Sequence, residues 1–206
     1  MQRLLCTRCG DSIHPDTAKR NDGLCIPCVR GNTLSIQERT ERHRLEREQE
    51  RAYRESPEYK YWLSIVKHVH EEPNGFDSLA HADRLYYLLN VLTGEVHNGG
   101  FDQFFSNSSG DRYAETVLAL TEVGAEAPMQ LLLKAKQVLF HENDVPLDQR
   151  ERLELMPTIS TEHPLHDAAN LALDQLDKDF YACAEVISSA LSKLAETHNL
   201  YHNLRP

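Results

Sequence analysis

From Ser56 onward, apolar residues return every three or four positions. Tyr59, Trp62, Leu63, Val66 and Val69 make the first stripe. A 3.6-residue period of this kind predicts an amphipathic helix with one buried face. Ser56-Pro57 predicts its start, a hydroxyl cap followed by proline at the first helical position. A second stripe runs through Leu79, Ala82, Leu85, Tyr86, Leu89, Leu92 and Val96. It predicts a helix from Asp77 or Ser78 to a stop at Asn98-Gly99-Gly100. Further helices are predicted over about 111–124, 127–141, 147–155, 165–178 and 180–199. No β-alternation appears in this stretch, so residues 55–206 are expected to form an all-α domain.

Residues 33–54 break the pattern. Ser35 and Glu38 form the S-x-x-E capping box of a helix start. The run from Glu38 to Arg51 then carries almost no apolar stripe. Glu38–Arg42 and Glu50–Arg54 are favourably oriented i,i+4 pairs, each worth about 0.3 kcal/mol. A helix that is polar all round is a solvent-bridging element, and residues 33–54 are read as a charged helical linker. A basic nucleic-acid helix is the rival reading, but its charges nearly cancel.

Ahead of the linker stand Cys6, Cys9, Cys25 and Cys28, spaced C-x2-C-x15-C-x2-C. Two such pairs supply four sulfurs for a tetrahedral Zn²⁺. Residues 1–32 are too few to bury a sufficient core alone, and domains that small usually need a metal or disulfides. Met1-Gln2-Arg3-Leu4-Leu5 is too short for the apolar region of a secretory signal. That favours metal over disulfides, with iron–sulfur or redox use as the alternative. One structural Zn²⁺ is expected, in a zinc-ribbon-like or treble-clef-like module. Gly10 suits a turn that aims N–H groups at thiolate sulfur, and Asn21-Asp22-Gly23 a turn before the second pair. His14 is at most a stray ligand, since four sulfurs already close the site. The fold class expected for the whole chain is therefore mainly α, with this small module at its N-terminal end.

Charge separates the parts further. Residues 1–54 hold 11 Lys+Arg and 8 Asp+Glu, net +3, while residues 55–206 hold 11 and 24, net −13. Such a balance repels nucleic-acid phosphates from the large domain and suits a basic protein partner. No apolar run reaches the roughly 18 residues of a membrane span, and a cytoplasmic location is expected.

Other constellations have bland readings. Asn98-Gly99-Gly100-Phe101-Asp102-Gln103-Phe104-Phe105-Ser106-Asn107 reads as two helix-breaking glycines followed by a short helix that buries its rings. Asp102 could cap that helix, and Gln103 and Asn107 could hydrogen-bond along one face. His163 with His166, and His198 with His202, read as surface histidines rather than ligands, there being no H-E-x-x-H. Cys183 reads as a small buried hydrophobe. There is no G-x-S-x-G, Walker loop or G-x-G-x-x-G, and no catalytic residue is assigned.

The stretch Asn98-Gly99-Gly100-Phe101-Asp102-Gln103-Phe104-Phe105, continuing through Asn107 to Ser109-Gly110, resembles the signature of the bacterial DNA-mimic protein C-terminal domain family. The likeness covers about residues 55–200. It implies an all-helical, acidic, dimer-forming non-enzyme. Such a domain presents carboxylates where a duplex presents phosphates, and so occupies a DNA-binding protein. Asp174, Asp177, Asp179, Glu71 and Glu72 are candidate mimic carboxylates. The Cys6–Cys28 segment resembles short zinc ribbons fused to small bacterial domains.

The leading expectation is thus a non-enzymatic zinc protein whose acidic domain binds a protein partner. The first rival is a nucleic-acid-binding ribbon with a regulatory helical domain, using Arg3, Arg8, Lys19, Arg20 and Arg30 against phosphate. The second is a hydrolase with a His/Asp site, which needs a cleft with convergent ionisable groups.

Overall fold

The computed structural model describes residues 3–31 and 36–202. Among them are ten α-helices, two 3-10 turns and one two-stranded sheet, a mainly α protein. The chain divides into two compact units, Met1–Tyr59 and Lys60–Pro206.

In the first unit, β1 (Leu4–Leu5) pairs antiparallel with β2 (Ser12–Ile13), Leu4 opposite Ile13 and Leu5 opposite Ser12. α1 (Pro15–Arg20) follows, with His14 as its cap: the ring Nδ1 accepts the Asp16 N–H at 3.3 Å. After the Asn21-Asp22-Gly23 turn comes the short α2 (Ile26–Val29). The buried cluster is only Cys6, Ile13, Ala18, Cys25 and Cys28. Three of its five members are cysteines, so apolar burial alone contributes little here.

α3 (Ile36–Glu55) is the polar helix, exposed along most of its length. Ser35, half of the expected capping box, lies outside the described residues. Glu50 and Arg54 pair at 2.7 Å as expected, and Arg44 adds two contacts, with Glu41 and Glu48, at 2.6 Å each. All are more than half exposed, so each contributes a few tenths of a kcal/mol. α4 (Pro57–Glu71) begins at its hydroxyl cap, Ser56 Oγ accepting the Tyr59 N–H at 3.1 Å.

The second unit is built around α5 (His81–Ser106). α6 (Tyr113–Glu122), α7 (Glu126–Phe140), α8 (Gln149–Leu155), α9 (His166–Ala182) and α10 (Ala184–His198) complete it. α5 starts three or four residues later than its apolar stripe suggests. Residues 74–79 instead form turns, with Ser78 N–H on Asn74 O at 2.8 Å and Leu79 N–H on Phe76 O at 3.1 Å. α9 runs past the expected 178 and breaks only at Cys183, where no glycine or proline marks the end.

The expected stop at Asn98-Gly99-Gly100 is a kink, after which helix resumes at once. Gly100 has φ +75°, a left-handed conformation that disfavours any Cβ. The turn drops Phe101, Phe104 and Phe105 into the core, each 0 % exposed. Phe101 meets Phe180 edge-on at 5.4 Å, and Phe105 meets Phe140 at 5.4 Å. Such pairs contribute about 1 kcal/mol beyond area burial.

Candidate metal centre and acidic domain

The first cysteine pair flanks the hairpin turn and the second opens α2. Turn closure is local: Gly10 N–H reaches Cys6 O at 2.9 Å, and Cys6 N–H reaches Asp11 O at 2.8 Å. The Gly10 N–H thus serves a carbonyl, and the sulfurs draw on other amides. Cys25 N–H points to Cys6 Sγ at 3.2 Å, and Cys28 N–H to Cys25 Sγ at 3.4 Å. The second pair therefore sits on a helical turn rather than on a second hairpin.

The four sulfurs lie within 4.8 Å of one another, and Cys9 Sγ stands 3.7 Å from Cys25 Sγ. A tetrahedral ion about 2.3 Å from each sulfur would hold them about 3.8 Å apart. A disulfide needs about 2.05 Å, and all four cysteines are free. The set is therefore spaced for a metal ion. Its acidities point the same way. The N–H of Cys9, then those of Cys25 and Arg8, hold the Cys6 thiol down to about 6 against the pull of burial. For Cys9 the Asp11 N–H pulls down, but burial and three neighbouring sulfurs push the thiol up. Burial, with Cys25 beside it, pushes Cys28 up as well. Four thiolates cannot share this space without a cation, and a bound divalent ion would displace the remaining protons.

His14 caps α1 and takes no part in the set. Neither do the other histidines: no second group of metal-spaced side chains occurs among the described residues. His163 Nδ1 accepts the Leu165 N–H at 3.1 Å, and His198 and His202 fall on separate helical pieces, parted by Asn199. The basic residues of this unit are partly engaged internally, Arg8 with Cys28 O at 2.9 Å and Arg3 with Ser12 O at 3.4 Å.

In the second unit the signature stretch is a hub of half-buried polar contacts. Asp102 does not cap the short helix, because its carboxylate takes the Thr158 hydroxyl. The cap comes from α9 instead: Asp177 Oδ1 accepts the Phe101 N–H at 2.9 Å. Burial, then the charges of Asp174 and Asp102, raise the Asp177 carboxyl although the Phe101 N–H opposes them. Gln103 and Asn107 do not bond to each other. Both donate to Glu95 Oε2, at 2.6 and 2.9 Å.

Arg152, 0 % exposed, is the residue the sequence hid. Its guanidinium donates to the carbonyls of Phe105, Asn107, Pro146 and Leu147 at 2.8–2.9 Å and pairs with Asp111 at 2.6 Å. Tyr61 similarly gives its hydroxyl to buried Asp83 at 2.5 Å. Of the candidate mimic carboxylates, Glu71, Glu72, Asp174 and Asp179 are exposed, whereas Asp177 is turned inward.

A cleft of this unit has a volume of about 630 Å³. Its walls include Trp62 and Tyr87, with Glu95, Asp111 and Arg112 among its ionisable groups. A serine–histidine contact, His68 Nε2 to Ser78 Oγ at 2.7 Å, lies nearby on the surface. Ser78 Oγ also lies 2.9 Å from Gly75 O, and a hydroxyl that gives its proton there takes one from His68, opposite to a general base.

No helix among the described residues is long and apolar enough to cross a membrane. Neither the curated proteins nor the solved structures searched contain a match. The family model described as DMP19-like protein matches residues 77–198, more than half of the sequence and most of the second unit, and the chain belongs to that family.

Proposed function

We propose that this chain is a non-enzymatic cytoplasmic protein in which a structural Zn²⁺ folds the N-terminal module and the acidic helical domain occupies a protein partner that binds DNA. One observation carries the reading: the DMP19-like match falls on the domain that holds a net charge of −13. Carboxylates on a rigid helical scaffold offer basic, DNA-reading surfaces a substitute for phosphates. Glu71, Glu72, Asp174 and Asp179 are the exposed acids at hand. A homodimer would double that surface. For the cysteine set, four-sulfur coordination leaves zinc no open position, so its part is folding rather than chemistry.

The test is capture of partners from native lysate on the full chain, repeated with duplex DNA as competitor. Basic partners displaced by DNA support the reading. A partner set that is acidic and indifferent to DNA sinks it. Metal analysis of the same protein should give one zinc per chain, and iron in its place would overturn the zinc assignment.

A further inference from the structure

We propose that the cleft beside α4 and α5 receives the guanidinium of an arginine on the protein partner, with Glu95 as its anion. The signature stretch supplies the first reason. Gln103 and Asn107 both donate to Glu95 Oε2, which fixes the carboxylate where it lines the cleft. The other oxygen accepts no hydrogen bond among the described residues. A side chain held by two amides is a prepared acceptor, not a loose surface charge.

Charge supplies the second. Asp111 is neutralised by buried Arg152 at 2.6 Å. Arg112 is taken up by Glu115 at 3.1 Å and Asp77 at 3.5 Å. Glu95 and Glu72, which also line the cleft, have no cationic partner among the described residues. The cleft is left anionic.

The walls supply the third. Trp62 and Tyr87 stack at 5.8 Å with 29° between their planes. Arg112 already lies 4.1 Å over the Phe76 ring, so this cleft accepts a guanidinium against an aromatic face. A planar guanidinium can stack on such rings while forking onto a carboxylate, and an ammonium cannot do both. The volume, about 630 Å³, suits a side chain rather than a whole domain. That the arginine comes from a DNA-binding protein rests on the function proposed above; the guanidinium site does not.

Trp62 is the only tryptophan in the chain, so its emission reports on the cleft directly. The probe is acetyl-Gly-Arg-Gly-amide, titrated into the full-length protein at low salt. A saturable emission change is expected, weakened about tenfold or more by Glu95→Gln, the usual cost of losing a charged hydrogen-bonded pair. The lysine counterpart should bind several-fold more weakly, and Glu162→Gln, an exposed acid off the cleft, should change nothing. No saturable change, equal binding by Glu95→Gln, or equal binding of the lysine peptide overturns the site. If Glu95→Gln loses its helical circular dichroism, Tyr87→Leu takes its place, with loss of binding expected and retention overturning the proposal. Peptide binding by a protein that captures no DNA-sensitive partner would keep the cleft and remove the mimic; the reverse would remove the cleft alone.

Discussion

Asp177 accepts the Phe101 N–H while lying close to two other carboxylates, Asp174 and Asp102. Burial first, then those charges, hold its carboxyl pKa above the ordinary 3.8, against the Phe101 N–H. The sign follows from linkage. A folded-state value above the unfolded one means that protonation stabilises the fold. That contribution is complete below about 3.8 and is lost as pH rises through the raised folded value. Asp177→Asn should remove this part of the pH dependence while keeping the cap, since an amide oxygen still accepts from Phe101. Asp177→Ala should lose the cap at about 1 kcal/mol. Urea unfolding of the three proteins between pH 3 and 7 separates these outcomes, and identical pH profiles for wild type and Asp177→Asn would contradict the assignment. Arg152 is the sharper case. Arg152→Met would strand four carbonyls and Asp111, at about 3–5 kcal/mol, read as a drop in urea midpoint with an unchanged slope. Arg152→Lys should fall between, because an ammonium cannot serve all of them. Gly110 confirms how close the packing is: a Cβ there would come within 2.7 Å of Arg152 Nε and 2.8 Å of Phe105 O.

At the scale of elements, what was legible in the sequence was what is local. The Ser56 hydroxyl cap, the apolar stripe of α5 and the Gly99-Gly100 break each lie within a few residues of what they do, and each C-x2-C pair is itself a local motif. The contacts that escaped join distant positions: Asp177 to Phe101 spans 76 residues, and Arg152 to Phe105 spans 47. An arginine at position 152 reads as an exposed helix charge, since arginine is almost never fully buried unless paired. Only the tertiary fold brings four carbonyls to it. The glutamine and asparagine of the signature were misread for the same reason, because their common acceptor, Glu95, sits on the other side of the kink. The elements also differ in what should hold them. The small core of residues 3–31 has three cysteines among its five buried members, whereas α5 to α10 carry six fully buried aromatic rings. Chelation of the full-length protein should therefore make residues 1–32 protease-sensitive and leave the helical signal of 55–206 nearly intact. Cys28→Ser should lower metal retention at least tenfold with the same helical signal kept. Simultaneous loss of both would show one cooperative unit.

For the whole molecule, charge is the property that reaches beyond any one contact. A field made by a net −13 over one domain would steer any basic partner in solution, and it is screened within about 10 Å at 0.1 M salt. The balanced α3, with its ion pairs satisfied along the helix, should add little to that field. Neutralising exposed acids of the large domain should therefore slow association while leaving dissociation close to its original rate. The triple change Glu71→Gln, Asp174→Asn and Asp179→Asn alters only exposed positions, none of them lining the cleft. Its cost in stability should stay within about 1 kcal/mol. Once a captured partner is in hand, its association rate with this variant should fall roughly tenfold at low salt, with the difference vanishing near 0.5 M salt. The Glu95→Gln change should behave oppositely, raising the dissociation rate with little effect on association, because it removes one seated contact and barely alters the total field. Stopped-flow mixing at several salt concentrations reads both rates. Equal association rates for wild type and the triple variant would place recognition elsewhere than on these exposed acids.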